Sequence, residues 1–244
     1  MRLTSVKGRA VESILADKQS PIPHWAVRRE YRSTYNDALR DGEKLIAGTL
    51  YAQDAQRFFY SKSFPGSVPA YVQVTLEKNG EAVYREAPDD ELPLKFKLTE
   101  AETAEVYALV EKLDNFKHPV ESGLKVAFMG TKTFRLEKGA EKSEVQFNYS
   151  EEPNAKLLWD WCERLTESAQ HRISLDRAAK YDKLGVVRAL NLLGSAIERK
   201  RVVGLEQYLP TLDRIIKNES YMHTARARAS EIAEYIRAGV PAVQ

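Results

Sequence analysis

A single cysteine, Cys162, stands in 244 residues, which excludes an intramolecular disulfide and any metal cluster built from cysteine alone. The four histidines, His24, His118, His171 and His223, lie far apart, and none forms an H-x-x-x-H pair of metal-ligand spacing. The twelve glycines are mostly isolated, so no G-x-G-x-x-G dinucleotide loop exists. In Gly130-Thr-Lys-Thr133 the glycine and lysine are not adjacent, as a phosphate loop requires. Neither Ser67 nor Ser195 carries the flanking glycines of a strained nucleophile turn. No uninterrupted apolar run approaches the roughly 18–20 residues that cross a bilayer. Lysine and arginine (37) nearly balance aspartate and glutamate (35), and a net charge of +2 argues against nucleic acid as a partner. These absences lead to the expectation of no metal, no cofactor and no catalytic residue that can be singled out.

What is present divides by charge. Residues 1–60 carry 10 basic and 7 acidic side chains, residues 61–172 carry 15 and 20, and residues 173–244 carry 12 and 8. Three regions are expected: an N-terminal helical extension over 1–60, a sheet domain over 61–152 and a helical region over 153–244. Within the first, short helices are expected over residues 5–18 and 25–50. The Ser20-Pro-Ile-Pro23 break parts them, because proline lacks the amide donor.

From residue 70 the apolar period changes to two. Val72, Val74 and Leu76 alternate with Gln73, Thr75 and Glu77, the pattern of a strand with one wet face. Asn79-Gly80 then signals a hairpin, and Ala82-Val83-Tyr84 is the return strand. Leu94, Phe96 and Leu98 make another, followed by Thr99-Glu-Ala-Glu102, a capping box. The helix it opens buries Val106, Tyr107, Val110 and Leu113. Further strands are expected over 124–129, 133–136 and 144–149, the last two turning through Lys138-Gly139. The fold class is α+β: an antiparallel sheet of about five or six strands with a packed helix, then an all-helical tail. Pro153 opens that tail, with Leu157, Leu158, Trp161 and Leu165 as an apolar stripe and Ser174 as a second cap. Helices at about 185–200, 205–217 and 221–238 follow.

Part of this tail is similar to a HEAT repeat. Asp182-Lys-Leu-Gly-Val-Val187-Arg188 followed by small and apolar residues to Ile197 resembles the turn and second helix of such a unit. The segment Leu209–Asn218 resembles a first helix with its turn, and Ala225, Ala227, Ala229 and Ile232 the next packing face. The pattern departs at Met222, His223 and Thr224, where valine and arginine are the usual residues. Two units are fewer than a free-standing solenoid needs, so the resemblance implies docking on the sheet domain.

The densest basic-aromatic stretch is His24-Trp25-Ala-Val-Arg28-Arg29-Glu-Tyr31-Arg32-Ser-Thr-Tyr35. Trp25, Arg28, Arg29 and Arg32 share a helical face, which suits either nucleic-acid phosphates and bases or arginine stems beside a buried aromatic seam. The stretch also resembles one in extracytoplasmic parts of MacB/FtsX-like transporter permeases, whose membrane helices have no counterpart here. A broader likeness over residues 55–238 rests on Phe58-Phe-Tyr-Ser-Lys-Ser-Phe-Pro-Gly-Ser67, Glu86-Ala-Pro-Asp-Asp90, Glu121-Ser-Gly-Leu-Lys125 and Lys217-Asn-Glu-Ser-Tyr221. These resemble a bacterial family of unknown function and imply no catalytic residues.

The expectation is a non-catalytic binding or scaffold protein whose HEAT-like surface contacts another protein. Arg199, Lys200, Arg201, Arg226 and Arg228 would form a basic rim for an acidic partner. The competing class is an enzyme assembled from dispersed Asp, Glu, His and Tyr, with His118 and Tyr149 as contributors. A cytoplasmic location is expected. The small-residue run Leu45-Ile-Ala-Gly-Thr-Leu-Tyr-Ala-Gln53 leaves export as the alternative.

Overall fold

The structure, a computed structural model, describes residues 56–239, together with the antiparallel pairing of Ser5–Val6 with Arg9–Ala10. That small ribbon replaces the helix expected over residues 5–18 at these four positions. The permease-like stretch, with Trp25, Arg28, Arg29 and Arg32, lies outside the described residues, as does the helix expected over 25–50.

Six antiparallel strands form one sheet: β1 (Gln56–Ser63), β2 (Tyr71–Glu77), β3 (Glu81–Arg85), β4 (Leu94–Lys97), β5 (Thr131–Lys138) and β6 (Glu141–Phe147). Their order is β4-β3-β2-β1-β5-β6, so four meandering strands are extended by a hairpin on the far side of β1. The α+β expectation holds, with two corrections. The strand expected over 124–129 does not form; the side chain of Asn148 takes up its polar backbone instead, accepting from the Met129 amide (2.7 Å) and donating to the Ala127 carbonyl (3.1 Å). The sixth strand is β1, the centre of the sheet, and it begins inside the region assigned to the N-terminal extension. Its Phe58-Phe59-Tyr60 run lacks alternation because the outward Phe59 is itself covered, with the Arg135 guanidinium 3.7 Å from its ring centre.

The ladder register explains the core. Phe58 stands opposite Leu76 and Leu136, Tyr60 opposite Val74 and Phe134, and Lys62 opposite Val72 and Lys132. With a side-chain period of two, all of these face one side. Helix α1 (Glu100–Lys112) covers that face. Its capping box forms as expected, the Glu102 amide donating to Thr99 Oγ1 and the Thr99 amide to Glu102 Oε2. The Tyr107 hydroxyl lies 2.8 and 2.9 Å from the carbonyls of Gln56 and Leu76, which ties the helix to the sheet. The β2–β3 connection differs from the two-residue turn expected at Asn79-Gly80. It is a three-residue loop in which only Gly80 has positive φ (+87°), after a turn closed by its own amide on the Glu77 carbonyl.

Helix α2 (Pro153–Tyr181) runs 29 residues without a break, about 43 Å at 1.5 Å per residue, so Ser174 caps nothing. Leu157, placed in its apolar stripe by spacing, is exposed. The first half of α2, from Ala155 to Ala169, belongs to the sheet core. Its second half, with Leu175 and Ala179, belongs to another core shared with α3 (Val186–Glu198), α4 (Leu209–Lys217) and α5 (His223–Arg237). The α3–α4 connection is clasped where the two cores meet. The Val203 amide donates to Ser168 Oγ, the Gly204 amide to Glu102 Oε1, and the Tyr208 hydroxyl to the Ser168 carbonyl. Among the described residues, no helix is long and apolar enough to cross a membrane.

Candidate functional site

The densest convergence of ionisable side chains lies at one end of the inner sheet face, against α2. Lys62 on β1 and Lys132 on β5 are direct cross-strand neighbours. Like charges so placed repel unless each finds a counter-group. Lys62 finds Glu163 of α2, its Nζ 3.0 Å from Oε1. The same oxygen accepts from the Tyr60 hydroxyl at 3.0 Å and from Trp159 Nε1 at 2.9 Å, the latter one helical turn away. Lys132 is fully buried and turns the other way, to the carbonyls of Asn148 (2.7 Å), Met129 (3.4 Å) and Gly130 (3.4 Å). The Trp159 ring centre lies 4.4 Å from its Nζ. Three carbonyls for three ammonium protons complete its hydrogen bonding.

Electrostatics follow from this arrangement. Burial pushes Lys132 from its ordinary 10.5 down to about 8, with the Lys62 charge adding to the effect and Glu163 and Glu121 opposing it. Burial also works to raise Glu163. The Trp159 bond, the Lys62 charge and bond and the Tyr60 bond outweigh it, and the carboxyl lies below its ordinary value. Burial and the neighbouring Glu163 push the Tyr60 phenol well up. The Cys162 thiol, fully buried beside the cluster, is likewise pushed well above its ordinary value by burial. It packs as a small apolar residue, not as a nucleophile.

Beside the cluster a cavity of about 450 Å³ is lined by Tyr149, Lys156, Trp159, Asp160, Glu163 and Arg201. Its charges are also engaged. Arg201 bonds Asp160 at 2.6 Å and Glu167 at 2.9 Å, and Lys156 lies 5.4 Å over the Tyr149 ring. A carboxylate held ionised by three donors is a poor general acid, and an amine sealed behind Trp159 cannot reach a substrate in this arrangement. Of the two residues suggested for an enzyme, Tyr149 lines the cavity and His118 does not. His118 pairs instead with Glu152 at 3.2 Å, both partly exposed to solvent. Among the described residues no group of three or more His, Cys, Asp or Glu is placed to hold a metal ion.

The five residues of the anticipated basic rim point in several directions. Arg201 serves the α2 acids just described. Lys200, in a left-handed conformation (φ +58°), and Arg228 line a smaller cavity of about 310 Å³ between α3 and α5. Arg228 is paired there with Glu231 (2.9 Å) and Glu198 (3.6 Å). Arg199 is exposed, and Arg226 is half-buried with its Nε without a hydrogen-bond partner among the described residues. A different pair was not singled out by spacing. Arg177 on α2 and Arg188 on α3 line one groove of about 320 Å³, floored by Ala178, Ala189 and Leu192. Both are exposed, and neither has an ion-pair partner among the described residues. Compared with known proteins, the chain matches no family model, and no curated protein matches it significantly.

Proposed function

We propose that this chain is a non-catalytic binding protein: an α+β sheet domain carrying a HEAT-like helical region whose surface contacts another protein. One observation carries the reading. The charged groups of the interior cluster and its cavity are engaged by one another, by carbonyls or by an aromatic ring, whereas two arginines on the helical region have no ion-pair partner among the described residues and stand beside exposed apolar side chains. Arginine that is free to form paired bonds to carboxylates is a common anchor at protein interfaces. The HEAT-like resemblance gains support from Asp182, whose Oδ1 accepts from the Gly185 amide at 3.0 Å and so fixes the turn into α3. Of the residues expected on the next packing face, Ala225, Ala229 and Ile232 pack in the core shared by the four helices, while Ala227 is exposed.

The test is affinity capture from extracts of the source cells with the wild-type chain and an Arg177→Glu/Arg188→Glu variant. A stoichiometric partner held by the first and lost by the second is the expected result. Equal retention by both, or none by either, refutes the reading. The enzyme reading keeps one observation in its favour, the cavity onto which Tyr149 and Glu163 both open. It predicts a small molecule that raises the melting temperature of the wild type and not of Glu163→Gln.

A further inference from the structure

The groove between α2 and α3 places two arginines over an apolar floor, and the chain carries a segment of complementary chemistry. On the groove side, Arg177 and Arg188 offer two guanidinium groups over an apolar floor, with Asp182 as the one carboxylate in the lining. The acids nearest in sequence are already engaged. Asp182 receives the Gly185 amide, and Asp176 receives the Thr211 hydroxyl and the Arg172 guanidinium. Beside the groove, at the turn from α2 to α3, Tyr181 is 74% exposed and Leu184 76% exposed, large apolar side chains left in water. Lys180, next along α2, adds a further positive charge.

On the other side stands the β3–β4 loop, Glu86-Ala-Pro-Asp-Asp-Glu-Leu-Pro93. Asp90 is used within it, accepting from the Leu92 amide at 3.0 Å and the Glu86 amide at 3.5 Å, which holds the loop in shape. Asp89 and Glu91 are exposed and form no ion pair among the described residues. Leu92 is 90% exposed, a leucine held away from both cores by the loop that carries it. Two exposed carboxylates ahead of a protruding leucine complement two exposed guanidiniums over an apolar floor, none of the four ion-paired among the described residues.

We propose that the Asp89–Leu92 loop of a second copy of this chain docks in the Arg177/Arg188 groove, so that the chain associates with itself. This rests on the protein-binding reading above and names its partner. Each copy offers one groove and one loop. The contact joins two different patches: formed twice and reciprocally it closes an isologous dimer, and formed once per pair it is heterologous and continues head to tail. An interface of charged anchors around one apolar side chain is salt-sensitive and weak, and association rises with protein concentration.

The experiment is sedimentation equilibrium of the full chain over a concentration series at low and high salt. Three further samples accompany it: the groove variant Arg177→Glu/Arg188→Glu, the loop variant Asp89→Lys/Glu91→Lys, and an equimolar mixture of the two. Wild type is expected to exceed the monomer mass with rising concentration, less so in high salt. Each variant alone sets like charges against each other and is expected to weaken association at least about tenfold. The mixture pairs an acidic groove with a basic loop and a basic groove with an acidic loop, and is expected to associate as wild type does. Restoration in the mixture also shows that both variants are folded. A wild type that remains monomeric at every concentration overturns the proposal, as do variants that associate alone as well as wild type. A synthetic peptide of residues 86–93 separates this failure from that of the protein-binding reading. If it binds the wild-type groove and not the groove variant while the chain stays monomeric, self-docking falls and the reading of the surface stands.

Discussion

Lys132 gives the sharpest test of how the interior of this protein is held. Exchange to methionine keeps an unbranched chain of similar bulk and removes the charge. At neutral pH two effects oppose each other: three carbonyls lose their donor, and a buried ammonium no longer has to be kept out of water. The pH dependence has no such ambiguity. The folded lysine releases its proton near pH 8, and the unfolded one at its ordinary 10.5. Below about pH 8 both states are protonated, and wild type carries the full cost of the buried charge. Between about 8 and 10.5 the unfolded chain binds more protons than the folded one, so stability rises with pH; above that window the gain is complete. A shift of about 2.5 units at 1.36 kcal/mol each is worth about 3 kcal/mol. The methionine variant lacks this contribution, and the other titrating groups largely cancel between the two proteins. Urea midpoints measured for both from about pH 7 to about pH 10.5 should therefore diverge in favour of wild type. The melting temperature of wild type minus that of the variant should rise by about 6–12 °C, at 2–4 °C per kcal/mol for a chain of this size. A difference that stays flat or falls with pH would mean that the three carbonyls and the Trp159 face hold the proton as firmly as water does, and the burial argument would be wrong.

Three further perturbations probe separate parts of the fold. Ser168→Ala leaves the buried Val203 amide without its acceptor and is expected to cost about 1–3 kcal/mol, read as a lower urea midpoint and faster hydrogen exchange at Val203. Gly80 and Gly66 both have positive φ, yet a Cβ at Gly80 would lie 2.8 Å from the Leu98 carbonyl oxygen, while one at Gly66 meets nothing within 4 Å. Thermal melts should accordingly show Gly80→Ala losing at least about 1 kcal/mol more than Gly66→Ala. Cys162, fully buried with its thiol pushed up, should react with a disulfide reagent only as fast as the protein opens; rapid modification of the native chain would contradict its place in the core.

Legibility in the amino-acid sequence tracked how local each cause is. Val72, Val74 and Leu76 alternate because one face of β2 is wet, and Thr99 with Glu102 forms a cap within four residues, so both could be read directly. The strand β1 was hidden because its outward Phe59 is covered by Arg135, a contact made by a residue far along the chain. Residues 124–129 are an apolar run interrupted only by Lys125, but such a run does not say whether a neighbouring strand is present to pair, and here Asn148 meets the backbone instead. The candidate sites were less legible still. Lysine at 132 reads as a solvated strand position, and its burial follows from the Trp159 ring and the Asn148, Met129 and Gly130 carbonyls that folding gathers around it. Arg177 and Arg188 have the same appearance as Arg201 and Arg228. Which cations are satisfied depends on acids brought near by folding, Asp160 and Glu167 for one, Glu198 and Glu231 for the other.

The unbroken run of α2 gives these separate features a common physical basis. One helix supplies Leu158, Trp161 and Leu165 to the sheet core and Leu175 and Ala179 to the helical core, so neither core is complete without it. Its polar side is divided in the same way. Toward its N-terminal half Asp160, Glu163 and Glu167 take up Arg201 and Lys62, and these bonds join α2 to the sheet and to the α3–α4 connection. Toward its C-terminal end Asp176 accepts from Thr211 of α4, Asp182 just past the helix accepts from the Gly185 amide, and the cations Arg177 and Lys180 are exposed. Charge at one end of α2 is thus engaged in holding the fold. At the other, the i, i+4 pair of Arg172 with Asp176 takes up one cation, and Arg177 and Lys180 beyond it have no ion-pair partner among the described residues.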